Sequence, residues 1–221
     1  MASKPDIRAG DLAMTVTNGL RVRSRPEVSD VSTKYEPTLS WGTRLAIEEG
    51  PVAGSGYWWC RVRLIDQTLQ SGAETGWVAM AAKEGVPWLI AGETGILEAL
   101  RQRIVGSWAG VVRTEWVAPY QVSVTFRADG TYSAHAEGNG QTPALYWGSD
   151  TDSPSKTYSI RDVAADGTAS GDIVLYWDNS ETTVVDELGD IAFQGDRLTL
   201  TLRHLGQYGP IALDLTRTTA S

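Results

Sequence analysis

The chain has 221 residues, 42% of them hydrophobic, with nine Trp and eight Tyr against only two Phe. That suits one large or two ordinary packed domains and excludes a disordered chain. A formal net charge of −8 and a pI near 4.8 argue against non-specific binding to nucleic acid or an anionic membrane surface, which needs clustered cations.

The single cysteine, Cys60, excludes an internal disulfide and fits a reducing compartment. The opening "MASKPDIRAGD" has no apolar core of a signal peptide, and no apolar run approaches the length of a membrane span. A cytoplasmic protein with no membrane span and no nucleic-acid partner is therefore expected. Trp and Tyr join a polar edge to an apolar body, so some of the rings are expected to line surfaces instead of cores.

Residues 1–11 read as a tail. The first candidate strand is "NGLRVRSRP", residues 18–26, where Arg21, Arg23 and Arg25 recur at every second position. On a strand these would share one face, with Leu20 and Val22 on the other. The three arginines are expected to form a solvated face. "GTRLAIEEG" follows, with Leu45 and Ile47 on one side. In "YWWCRVRLI", Trp58, Cys60, Val62 and Leu64 alternate with Trp59, Arg61 and Arg63. Cys60 falls on the apolar parity and reads as a small core residue. Three adjacent rings cannot all point inward, so at least one of Tyr57, Trp58 and Trp59 should be exposed or in a groove. "TGWVAM" is the fourth strand, and residues 84–95 read as a linker.

"ETGILEALRQRIVG", residues 93–106, places Ile96, Leu97, Leu100 and Ile104 at helical spacing. Thr94 is the expected N-cap and Gly106 the C-terminal stop. About eight strand candidates follow: 107–116, 121–127, 131–137, 144–148, 156–163, 170–177, 190–194 with 197–204 beyond it, and 210–217. "ADG" at 128–130, "ADG" at 165–167 and "QGD" at 194–196 are hairpin signals. Period-two alternation predicts an inward set of Val122, Val124, Phe126, Leu175, Leu198, Leu200, Leu202, Leu213 and Leu215. Successive hairpins with one apolar face tend to close, because closure removes both sheet edges.

Few residues suggest chemistry. His135 falls on a polar parity. His204 falls on an apolar one and on general grounds reads as a half-buried, hydrogen-bonded strand-end histidine. Asp186, Glu187 and Asp190 in "VVDELGD", and Asp150 and Asp152 in "GSDTDS", could serve acid–base work or hold a cation. Their Gly/Ser-rich settings lack the spacing of a calcium loop, and they read as solvated turns. No nucleophile-elbow, zinc-protease, phosphate-loop or cysteine–histidine zinc pattern appears. No catalytic residue, metal or cofactor is assigned.

Two family resemblances organise these elements. Residues 12–83 resemble the bacterial Src-homology-3 (SH3-like) domain through "GLRVRSRP", "WGTRLAI", "YWWCRVRL" and "TGWVAM", in that order. Departures are Arg21, where the family has a small polar residue, and two long loops, "EVSDVSTKYEPTLS" and "DQTLQSGAE". The resemblance implies a small barrel and a groove formed by Tyr57, Trp59 and Trp77 that receives an extended peptide.

Residues 96–221 resemble the lipocalin-like (calycin) barrels. "GSWAG" at 106–110 looks like the family's first-strand G-x-W, preceded by a short helix, and the last strand "IALDLTR" ends in Arg217. The resemblance implies an up-and-down antiparallel barrel closed by a Trp108–Arg217 pair. Together the two halves imply an all-β, non-catalytic binding or scaffolding protein of two domains. The first would contact a protein, peptide or cell-wall glycopeptide. The second would hold a ligand or serve as a structural module. The alternative is a carrier of an apolar ligand or haem in the C-terminal barrel, and for haem the resemblance implies an inward histidine, for which His204 is the one candidate axial ligand.

Overall fold

The computed structural model describes residues 4–112, 119–137, 156–163, 169–178, 184–203 and 210–218. These residues are mostly strand, with one helix, and form two antiparallel sheets. The chain divides into two compact units, one built on Met1–Ile96 and the other on Leu97–Val163 with Ser170–Ser221.

Unit 1 contains β1 (Leu12–Thr15), β2 (Leu20–Arg23), β3 (Lys34–Leu39), β4 (Arg44–Gly54), β5 (Tyr57–Leu64), β6 (Thr75–Ala79) and β7 (Leu89–Ala91). Their order in the sheet is β3-β2-β6-β5-β4-β1-β7. The tight β4–β5 hairpin turns on Ser55 and Gly56, both at positive φ (49° and 80°), the geometry that matches strand twist. Alternation buries Leu20, Val22, Leu45, Ile47, Cys60, Val62, Leu64, Val78 and Met80 in one cluster. Burial pushes the Cys60 thiol up to about 12. Residues 84–95 were expected as a linker, but they contain β7, which pairs with β1 from Ala13↔Ala91 to Thr15↔Leu89.

The boundary between the units falls inside helix α1 (Glu93–Ile104). The helix starts one residue before the expected cap Thr94, and the Ile96 amide donates to the carbonyl of Gly92 at 3.1 Å. Gly92 sits at φ +80°, which a side chain at that position would strain. Unit 2 continues with β8 (Gly106–Val112), β9 (Tyr120–Phe126), β10 (Tyr132–Glu137), β11 (Thr157–Val163), β12 (Ser170–Asp178), β13 (Val184–Gln194), β14 (Arg197–Leu202) and β15 (Ile211–Arg217). The order is β10-β9-β8-β15-β14-β13-β12-β11, so the first and last strands of the unit are neighbours.

This sheet curls into a half-barrel. Its two edge strands meet at the bridge Thr131↔Thr157. There the Tyr132 amide donates to the Lys156 carbonyl at 3.0 Å and the Tyr158 amide to the Gly130 carbonyl at 2.8 Å. All nine residues of the expected inward set are at most 3% exposed, while Thr199 and Thr201 are partly exposed. One expectation needs correction. β13 begins at Val184, so Asp186, Glu187 and Asp190 stand on a strand and not in a loop. Nine residues of β13 pair with β12, and that pairing overrides the glycine and the charges. The strand candidate 144–148, with Asp150 and Asp152, lies outside the described residues.

Removing a fully buried side chain from the curled sheet should cost both transfer energy and a cavity. Leu200→Ala is expected to destabilise unit 2 by about 2–5 kcal/mol in urea unfolding followed by circular dichroism. Thr201→Ala, on the outer face, should stay within about 0.5 kcal/mol.

Candidate functional site

The outer face of the unit 1 sheet holds the residues expected to form a groove. Alternation along β5 puts Tyr57, Trp59, Arg61 and Arg63 on one side. Across the strands, Lys34 pairs with Arg23, Arg23 with Trp77, Trp77 with Arg61 and Arg61 with Glu49. Directly opposed residues share a face, so these five form one row.

Tyr57, Trp59 and Trp77 share this face but have separate fates. Trp59 is only 2% exposed and does not line a groove. Its indole N–H donates to the Gly54 carbonyl at 2.7 Å. The segment after β2 packs on the same hairpin tip. A Cβ at Gly54 would lie 1.9 Å from the Pro26 oxygen, and the Val28 amide donates to Ser55 Oγ at 2.9 Å. Trp59 is therefore a structural ring beneath a folded-back loop.

Tyr57 is half-buried, stacked on Trp88 with ring centroids 5.9 Å apart and edge-on to Trp59 at 6.0 Å. Lys83 Nζ lies 5.2 Å from its ring centroid. Trp77 is half-buried, and among the described residues its indole makes no hydrogen bond or ring contact.

The arginine series is not the solvated row that alternation predicts. Arg21 is exposed and pairs with Glu36 at 3.2 Å. Arg23 is 8% exposed, and its Nη1 donates to the Ser32 carbonyl at 3.3 Å. β2 ends there, and Arg25 lies beyond it in the loop. The cause is the loop, which returns so that the Ser24 amide meets the Thr33 carbonyl at 3.0 Å and encloses Arg23. On β5, Arg61 meets Glu49 at 3.3 Å and Arg63 meets Glu48 at 3.3 Å. A bulge between Ile47 and Glu49 brings both carboxylates to the arginine face.

In unit 2, Trp108 and Arg217 stand opposite one another on β8 and β15. Trp108 is fully buried, its ring 5.7 Å from that of Phe193, and the Arg217 guanidinium carbon lies 4.4 Å from its centroid. Both side chains serve the C-terminus of α1. The Trp108 indole donates to the Ile104 carbonyl at 2.7 Å, Arg217 Nη1 to the Val105 carbonyl at 3.0 Å, and Arg217 Nη2 to the Arg103 carbonyl. Gly106 is required beneath them. It sits at φ +132°, and a Cβ would lie 2.7 Å from Arg217 Nη1. Burial, then the nearby Arg103, lowers the Arg217 pKa below its ordinary value.

Sequence reasoning missed Trp88 and Lys83, which lie around the supposed linker, and Arg101 and Arg103 of the helix. Arg101 Nη2 donates to the Ile160 carbonyl at 3.2 Å, and Arg103 Nη2 to Asp196 Oδ1 at 2.7 Å. Clustering of arginines in the last helical turn was the available signal. His135 is exposed, and His204 lies outside the described residues. Asp190 shares Arg203 with Asp172. Arg203 Nε donates to Asp190 Oδ2 and its Nη2 to Asp172 Oδ1, each at 2.9 Å. The hydrogen bond from Arg203, with its charge, holds the Asp190 carboxyl below its ordinary value. Among the described residues no group of three or more His, Cys, Asp and Glu is placed to hold a metal ion. No helix of the described residues is long and apolar enough to cross a membrane.

Arg217→Ala removes a cation–π contact and leaves two helix carbonyls without donors. Urea unfolding should register a loss of about 2–4 kcal/mol, against a small effect of Arg197→Ala on the exposed start of β14. Arg203 is a poor reference for that comparison, because it bridges two carboxylates. The Asp190 pKa is depressed in the folded state, so its contribution to stability is present above the ordinary value of 3.8 and fades as pH falls through the folded pKa. The stability difference between wild type and Arg203→Gln should therefore be constant near neutrality and vanish at the acid end of a pH series.

Comparison with known proteins finds no family model, no curated protein and no solved structure that matches this chain.

Proposed function

We propose that this chain is a non-catalytic binding or scaffolding protein. Its first unit would be an SH3-like module, centred on residues 12–83, that contacts a protein, peptide or cell-wall glycopeptide. Its second, over residues 96–221, would be a lipocalin-like barrel that holds a ligand or acts as a structural module. Trp77 carries this reading. A half-buried indole in the middle of a sheet face, with neither a hydrogen bond nor a ring partner among the described residues, is an amphipathic anchor without an occupant. The ordered sequence signatures of the SH3-like domain support the same assignment.

The expected outcome on an array of immobilised decapeptides and cell-wall glycopeptide fragments is selective binding by the full chain. Trp77→Ala should weaken it by about tenfold, the cost of losing an aromatic anchor. Unchanged binding by Trp77→Ala would move the contact surface elsewhere.

A second reading is a carrier of a small apolar ligand through unit 2, and Tyr120 favours it. The Tyr120 side chain follows the inward parity of Val122, Val124 and Phe126, and its hydroxyl is buried with no hydrogen-bond partner among the described residues. Burial pushes the phenol up to about 12, so it stays a proton donor at neutral pH. A neutral naphthyl ketone fluorophore should then bind to the wild-type chain and more weakly to Tyr120→Phe. If neither binds it, the carrier reading fails. A Soret band in the purified chain would select the haem form of this reading.

A further inference from the structure

Arg23 is more than nine-tenths buried and has no counter-ion among the described residues. Among the described residues its one hydrogen bond is to the Ser32 carbonyl, and no carboxylate lies within ion-pair distance. A guanidinium has five N–H donors, and a buried cation with no opposite charge is unfavourable. Its other nitrogens are not sealed from solvent. On one side, in register, stands Lys34, exposed and with no ion pair among the described residues. On the other stands Trp77 with its unused indole N–H.

The neighbouring cations differ. Arg21 is matched by Glu36, Arg61 by Glu49 and Arg63 by Glu48. In the loop beyond β2, Glu27 accepts from Ser29 Oγ at 2.9 Å and Asp30 is exposed, and neither pairs with Arg23 or Lys34. The uncompensated charge beside the open indole therefore lies on Arg23 and Lys34, and the exposed Arg25 of the loop is likewise without an ion pair among the described residues.

We propose that Arg23, Lys34 and Trp77 form a recognition site for a carboxylate side chain of an extended acidic peptide. The inference rests on the reading of unit 1 as a peptide-binding module. Arg23 supplies a rigid fork that matches the two oxygens of a carboxylate, and Lys34 adds a point charge at the entrance. Trp77 offers a donor and a ring face to the adjoining peptide. A continuous polyanion such as nucleic acid fits less well, because the chain as a whole carries −8 and would repel it.

The test is fluorescence anisotropy of the full chain with a fluorescein-labelled decapeptide alternating Glu and Gly, against its Gln–Gly counterpart, in about 50 mM salt. The Glu peptide is expected to bind about tenfold or more tighter than the Gln peptide, with an advantage that shrinks in about 0.5 M salt. Lys34→Glu lies on the exposed edge strand, should keep the wild-type circular dichroism spectrum, and should remove that preference. Arg23→Lys keeps the buried charge but loses the fork, and should weaken the Glu peptide several-fold.

Equal binding of the two peptides, or a preference that survives Lys34→Glu, overturns carboxylate recognition while leaving the peptide reading to the array. Absence of binding by either peptide overturns the proposal as well. Tighter binding of an oligothymidylate than of the Glu peptide replaces it with a nucleic-acid site.

Discussion

The C-terminus of α1 sets the terms for unit 2. A helix ends with carbonyls that have no partner of their own, and at a buried end each must be supplied with a donor. Here three consecutive carbonyls, those of Arg103, Ile104 and Val105, receive donors from Trp108 and Arg217. The two side chains come from the first and last strands of the sheet, which must be adjacent for both to reach the same turn. Gly106 follows from the same requirement, since only a residue without a side chain leaves room for the guanidinium. Arg103 adds a link to the β13–β14 turn at Asp196, and Arg101 one to β11 at Ile160. The end of the helix is thereby fastened to three strands of the curled sheet, β8, β15 and β11, and to the β13–β14 turn.

Unit 1 is organised by a different constraint, the long segment between β2 and β3. Its return ties Ser24 to Thr33, encloses Arg23 and lays Pro26 and Val28 on the β4–β5 hairpin. One loop thus buries Trp59 on the nominally outer face and gives Arg23 a carbonyl in place of a carboxylate. Trp77, opposite Arg23 in the sheet, keeps its indole accessible. The residues left unsatisfied beside this loop are Arg23, Lys34 and Trp77.

Much of the architecture was legible because strand parity is a strong local signal. Leu198, Leu200 and Leu202 alternate with Arg197, Thr199 and Thr201, and a slip of one residue would expose every leucine. The helix was legible from the spacing of Ile96, Leu97, Leu100 and Ile104. Less legible were elements whose identity is set by their partners. β7 is three residues long and is a strand only because β1 is available to pair with it. The charged, glycine-containing start of β13 reads as a turn until β12 is placed beside it.

Alternation, turn chemistry and helical spacing, all properties of near neighbours along the chain, determined from the sequence that this is a largely β protein with one amphipathic helix, and which side chains of each strand face inward. The tertiary structure alone decided which outward residues remain outward. Parity says that Trp59 and Arg23 leave the core face, but it carries no information about a loop that folds back from a distance. It cannot say that Trp59 is covered while Trp77 is not, or that Arg23 ends without a carboxylate while Arg61 and Arg63 acquire one each. Those outcomes depend on which distant segments meet. Such meetings are selected by the packing of the whole unit, and no short stretch of sequence encodes them.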